Sequence, residues 1–142
     1  QSDIPVVTLP DNSGTLRVIA GRFGEVTGPA HTFSPLNVWD LALRQGSHLT
    51  LNQPEGWSTA LVVVEGSVTV NGTTPAGEAQ LVVLSQSGDK LHLEASSDAK
   101  VLLMVGEPLN EPIVGYGPFV MNSKTEIAEA IRDFNSGRFG QI

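Results

Sequence analysis

The sequence predicts an all-β fold, a barrel of two antiparallel sheets with one C-terminal α-helix. Three observations predict it. Short segments rich in Val, Leu, Ile and Thr follow one another through residues 1–105, broken by Gly, Pro, Asn, Asp and Ser. Three continuous apolar runs, Leu61-Val-Val-Val64, Leu81-Val-Val-Leu84 and Val101-Leu-Leu-Met-Val105, have the length of central strands. A helical period appears once with a clear start and stop, near the C terminus. Regular short strands with frequent turns favour a sandwich or barrel.

Taken in order, strands are expected at 5–9, 16–23, 37–44, 48–52, 59–65, 67–71, 79–85, 90–95 and 100–105. Glu65-Gly66 joins two of them tightly, and Asn71-Gly72 and Gly88-Asp89 are turn-favouring pairs. Residues 106–122 change character. Three prolines and three glycines exclude a regular helix or a central strand. Leu109, Ile113, Val114, Tyr116, Phe119, Val120 and Met121 make the same stretch too apolar for a free linker. An ordered, extended segment laid against a surface is expected. Ser123-Lys-Thr-Glu126 is a capping box, with Asn122 as an alternative cap. Ile127, Ala130, Ile131 and Phe134 form one apolar stripe, and Gly137 suits a left-handed C-cap, so a helix is expected over 124–136. The expected organisation is a single domain: a barrel over 1–105, the extended segment 106–122, and a helix and tail over 123–142.

Composition narrows the function. The 142 residues carry a net charge of −7 with no cluster of Lys or Arg, which argues against a nucleic-acid partner. No apolar run approaches the ~20 residues that a membrane-spanning helix needs. Cysteine is absent, which removes thiol nucleophiles and Cys-based zinc sites and fits a reducing, cytoplasmic compartment. Gln1 is not methionine and no leader pattern follows it, so either processing or a longer parent chain is expected.

The stretch from Gly46 to Gly66 has the spacing of the first cupin motif, G-x5-H-x-H-x4-E-x6-G, on the double-stranded β-helix or jelly-roll barrel. Both glycines are in place. Asn52, Pro54 and Thr59 stand where two histidines and a glutamate would bind metal. Proline has no side-chain donor, and an amide and a hydroxyl are poor replacements for imidazole and carboxylate. In the second motif, with Gly88 as its glycine, Leu91 takes the place of the histidine, and His92, one residue on, is expected to point out of the barrel. His31, His48 and His92 share no metal-ligand spacing and are read as unrelated surface or rim residues. No G-x-S-x-G elbow or phosphate-binding glycine pattern occurs. Glu107 and Glu111 are read as solvated or turn-bonded carboxylates. Asp40 beside Trp39 is the acid that would need a partner if buried.

Gly106-Glu-Pro-Leu-Asn-Glu-Pro112, Tyr116-Gly-Pro-Phe-Val-Met-Asn122 and Glu126-Ile-Ala-Glu-Ala-Ile-Arg-Asp-Phe134 resemble the C-terminal half of the pirin family, as does Gln53-Pro-Glu-Gly-Trp57 followed by a strand and Glu65-Gly66. Pirins are bicupins, and some resemble quercetin 2,3-dioxygenases. The resemblance implies that this chain is the second barrel, cut off at a domain boundary, and that the metal, usually iron, belongs to the N-terminal barrel. It implies a non-catalytic half that packs on and stabilises its N-terminal partner, through segment 106–122 and with the helix as a second candidate. Trp57, Tyr116, Phe119 and Met121 are the candidate interface residues, the alternative being that Trp57, Tyr116 and Phe119 plug the ends of this same barrel. An assembled metal-dependent dioxygenase and a barrel holding an apolar small molecule are the alternatives.

Overall fold

The computed structural model describes residues 4–140. It is mostly strand with one C-terminal α-helix, and two compact units divide it at Gln1–Pro108 and Leu109–Ile142.

The first unit holds two facing sheets. The larger is formed by β1 (Val6–Thr8), β2 (Gly14–Ala20), β5 (Leu36–Leu43), β12 (Ala99–Gly106), β7 (Ser58–Glu65) and β10 (Leu81–Val83), in that spatial order and antiparallel throughout. The smaller has the order β6 (His48–Asn52), β11 (Lys90–Ala95), β8 (Ser67–Val70) and β9 (Thr74–Gly77). A short ribbon, β3 (Arg22–Phe23) with β4 (Val26–Thr27), stands beside them. Consecutive long strands pass from one sheet to the other, as in a jelly roll.

Strict alternation of side chains builds the core. Leu41, Leu61, Val101 and Leu103 enter from the larger sheet and Val70, Leu91 and Leu93 from the smaller, all at 1% exposure or less. Trp39 is buried and stacks edge-on against Phe23, ring centroids 5.2 Å apart. The opposite face of the same strands carries the polar pairs. Asp40 stands opposite Arg17 across β2 and β5 and accepts its Nε–H at 2.9 Å, so the acid singled out in the sequence is partnered. Two residues along β12 from Leu102, the neighbour of Asp40, Lys100 meets Glu65 at 2.6 Å, and the hydrogen bond and charge of Glu65 raise the Lys100 pKa.

The expected strands form, with three differences. The run 16–23 breaks at Gly21, whose φ of +72° turns the chain into the β3–β4 ribbon. The run 79–85 shortens to Leu81–Val83. Residues 74–77, with Pro75, were not expected to form a strand, yet β9 forms. It lies at a sheet edge, where a missing N–H costs no ladder bond.

In the second unit the Pro- and Gly-rich segment folds into a hairpin, β13 (Val114–Tyr116) with β14 (Phe119–Met121), followed by α1 (Lys124–Asn135). The capping box is made. Ser123 Oγ accepts from the Glu126 N–H at 3.2 Å, and the Glu126 carboxylate accepts from Ser123 Oγ and the Asn122 N–H at 2.9 and 3.1 Å. Gly137, at φ +74°, ends the helix as expected. Ile127 and Ala130 are buried, whereas Phe134 of the apolar stripe is 62% exposed and meets Phe119 and Phe139 ring edge to ring face.

The two motif glycines are under different constraints. Gly66 carries the chain from β7 to β8 at φ +78°, and a Cβ there would lie 2.0 Å from the Asp98 carbonyl oxygen. Gly46, at φ +77°, has open space around it. Gly66→Ala is therefore expected to lose about 2–4 kcal/mol, from left-handed strain plus displacement of backbone. Gly46→Ala is expected to lose about 1 kcal/mol from strain alone. Urea unfolding of the two variants checks this, and equal losses would contradict it.

Candidate functional site

The positions that the cupin spacing assigns to ligands do not all converge. Along β6, Leu49 and Leu51 point inward and His48, Thr50 and Asn52 outward. Asn52 lines a separate depression with Phe23 and Trp39. The residue that follows the inward parity is Gln53, which is 8% exposed. Gln53, Pro54, Thr59 and Leu91 line one small cavity of about 70 Å³, together with Trp57, Asn71, Ser85, Ser87 and Lys90. The spacing thus identifies Pro54, Thr59 and Leu91 and misses Gln53. The signal for Gln53 was available, since Leu49, Leu51 and Gln53 continue a period of two.

The backbone holds Gln53 in place. Its N–H donates to the Asp89 carbonyl at 2.7 Å, and the turn that follows closes with Trp57 N–H on the Pro54 carbonyl at 3.3 Å. Both side-chain polar atoms of Gln53 are buried with no hydrogen-bond partner among the described residues. Thr59 is also buried.

An amide, a hydroxyl, a proline and a leucine do not make a site for a divalent cation, which needs several convergent imidazoles, carboxylates or thiolates. The cavity is also well below the ~300–1,000 Å³ of pockets for drug-sized ligands, so its geometry does not favour the apolar small-molecule alternative. Among the described residues no group of three or more His, Cys, Asp or Glu side chains comes together. His92 points outward and its Nδ1 lies 2.9 Å from Thr50 Oγ1. His31 packs edge-on against Phe33. Glu111 accepts from Asn122 Nδ2 at 3.0 Å, and Glu107 is exposed.

The four candidate interface residues lie in different settings. Trp57 is half-buried against the barrel's own core. Phe119 is half-buried in the aromatic contacts of the second unit, 5.6 Å from Phe139. Met121 is half-buried, and Tyr116 is 68% exposed.

Two sheets wound as a jelly roll define the class as a cupin domain. Residues 38–140 match the family model described as the pirin C-terminal cupin domain, and the chain belongs to the pirin family. A Pseudomonas aeruginosa relative named "Putative quercetin 2,3-dioxygenase PA2418" is 53% identical over 138 residues, covering 97% of this chain and 48% of its own length. Pirin-1 of Arabidopsis thaliana is 33% identical, covering 98% of this chain and 50% of its own. The crystal structure of quercetin 2,3-dioxygenase from Acinetobacter baumannii superposes with a TM-score of 0.90 at 52% identity, over 99% of this chain and 49% of that one. The chain spans about half the length of the curated relatives it matches. Among the described residues no helix is long and apolar enough to cross a membrane.

A buried amide without partners costs stability that an apolar side chain of similar length does not. Gln53→Leu is expected to leave stability unchanged or to raise it by about 1 kcal/mol. A loss beyond about 2 kcal/mol in denaturant unfolding would mean that the amide is satisfied in solution.

Proposed function

We propose that this chain is the non-catalytic C-terminal barrel of a two-barrel protein, and that it packs on and stabilises an N-terminal barrel that carries the metal. The observation that carries this reading is the donor set at the barrel mouth. Gln53, Pro54, Thr59 and Leu91 line one cavity, the last three at positions that the cupin spacing assigns to ligands, and none of them is an imidazole or a carboxylate. The match to a C-terminal family domain and the half-length coverage of the relatives support a second half elsewhere in the protein. The partner in this reading is protein, since the acidic charge opposes nucleic acid. The cysteine-free composition fits a cytoplasmic setting. Metal analysis of the purified chain is expected to find iron, nickel and zinc far below one equivalent. Stoichiometric metal held by its own side chains would overturn the proposal.

A second reading concerns the assembled protein. The 53% identical relative is named "Putative quercetin 2,3-dioxygenase PA2418" and the 52% identical solved structure is titled quercetin 2,3-dioxygenase, which favours oxygen-dependent cleavage of a flavonol by the two-barrel molecule. In that case this chain supplies no metal ligand, and its contribution is support for the other half. Co-expression with the N-terminal half is expected to give quercetin turnover that this chain alone lacks. Turnover by this chain alone would refute the division of labour.

A further inference from the structure

The small cavity beside Gln53 has a chemistry that the two-barrel reading leaves unused. Two polar side chains in its lining are more than nine-tenths buried, Gln53 at 8% and Thr59 at 7% exposure. No group among the described residues bonds to the Gln53 amide, which offers both a carbonyl acceptor and an NH₂ donor. The terminal torsion of a glutamine is broad, so the amide can turn toward a ligand at little cost. The exposed residues Asn71, Ser85, Ser87 and Lys90 complete the polar lining. Asn71 Oδ1 accepts from the His92 N–H at 2.9 Å, so the amide nitrogen is the end of Asn71 left to donate. Lys90 forms no ion pair among the described residues. The acids next to Pro54 and Lys90 in sequence, Glu55 and Asp89, do not line the cavity.

We propose that this cavity binds a small planar oxyanion that carries one O–H group, of the size and charge of bicarbonate. The site is independent of any second barrel. Size limits the ligand first. A water takes about 30 Å³ of the liquid, so about 70 Å³ holds roughly two waters or one molecule of about four non-hydrogen atoms. Charge selects next. Lys90 is the one charged residue in the lining, and the hydroxyls of Thr59, Ser85 and Ser87 can all donate, so negative oxygens are favoured. The Gln53 amide then asks for more than a bare anion. Its NH₂ group donates to one ligand oxygen, while its Oε1 needs a hydrogen in return. A carbonyl oxygen beside an O–H supplies both partners to one amide edge. Nitrate has the same size, shape and charge and no hydrogen, so it leaves Oε1 unpartnered. Hydrogen phosphate has the O–H but is tetrahedral and larger than the space.

Nuclear magnetic resonance on the ¹⁵N-labelled chain tests this directly. A ligand so small binds weakly at best, so the titration runs through millimolar sodium bicarbonate, at slightly alkaline pH and constant ionic strength. The Gln53 side-chain amide and the Trp57 indole N–H, which lie at the cavity, are expected to shift and to saturate together. The indole of Trp39, the other tryptophan, lies outside this cavity and is expected to stay in place. Nitrate is expected to bind at least several-fold more weakly, and phosphate not to saturate at all. Gln53→Leu is expected to abolish the saturable shift at Trp57. Lys90→Gln, at an exposed position, weakens binding several-fold, whereas Arg44→Gln, which removes a positive charge outside this cavity, leaves it unchanged. If Gln53→Leu does not fold, the comparison of Lys90→Gln with Arg44→Gln and of bicarbonate with nitrate decides. Absence of a saturable shift would leave water as the occupant and overturn the proposal. Equal binding of nitrate would refute the O–H requirement, and tighter binding of phosphate would refute the size limit; either result overturns the assignment.

Discussion

The alternation of side chains along each strand is the constraint from which the rest of this structure follows. Every long strand has one face toward the opposing sheet, and a shift of one residue would exchange its whole buried set for its exposed set. In β12 that set is Val101, Leu103 and Val105; in β7 it is Thr59, Leu61 and Val63. Because these residues interlock with Leu91, Leu93 and Val70 from the other sheet, the register of each strand is held by its neighbours across the core as well as by its own hydrogen bonds. The places where the chain passes between sheets inherit this tightness. At Gly66 the connection is so close to the carbonyl of Asp98 that a side chain has no room.

The same alternation decides the chemistry. A cupin site is built from inward residues at the open end of the barrel, so the residue type at each inward position there determines what can be bound. Here those positions hold Gln53, Thr59 and Leu91, with Pro54 at the rim. Their donors are neutral and few. None of these four side chains is an imidazole, a carboxylate or a thiolate, the donors by which proteins hold divalent transition metals. The histidines of the chain lie outside this cavity: His92 is committed to the outer surface beside Thr50, and His31 to a contact with Phe33.

What the strands turn outward matters equally. The larger sheet has an apolar outer face, which is unusual for a sheet left in water. The chain belongs to the pirin family and spans about half the length of the curated relatives it matches.

The fold class was legible in the sequence because each of its signals is local. Short β-branched runs, turn pairs such as Asn71-Gly72 and the Ser123–Glu126 capping box act within a few residues, and the barrel strands and helix formed close to where they were expected. The hairpin Val114–Tyr116 with Phe119–Met121 and the edge strand Thr74–Gly77 escaped, because proline and glycine argue against strands until an edge or a tight turn makes room for them. Three of the cavity residues could be placed by spacing, but Asn52 stood in for Gln53, since motif spacing does not register which face of β6 turns inward. Sequence alone determined the class of fold and the helix, both of which depend on residue type and near neighbours. Only the tertiary structure decided that Gln53 is buried without a hydrogen-bond partner among the described residues and that Leu102, Val62 and Leu81 form a continuous outer row, because both depend on the register between strands far apart in the chain.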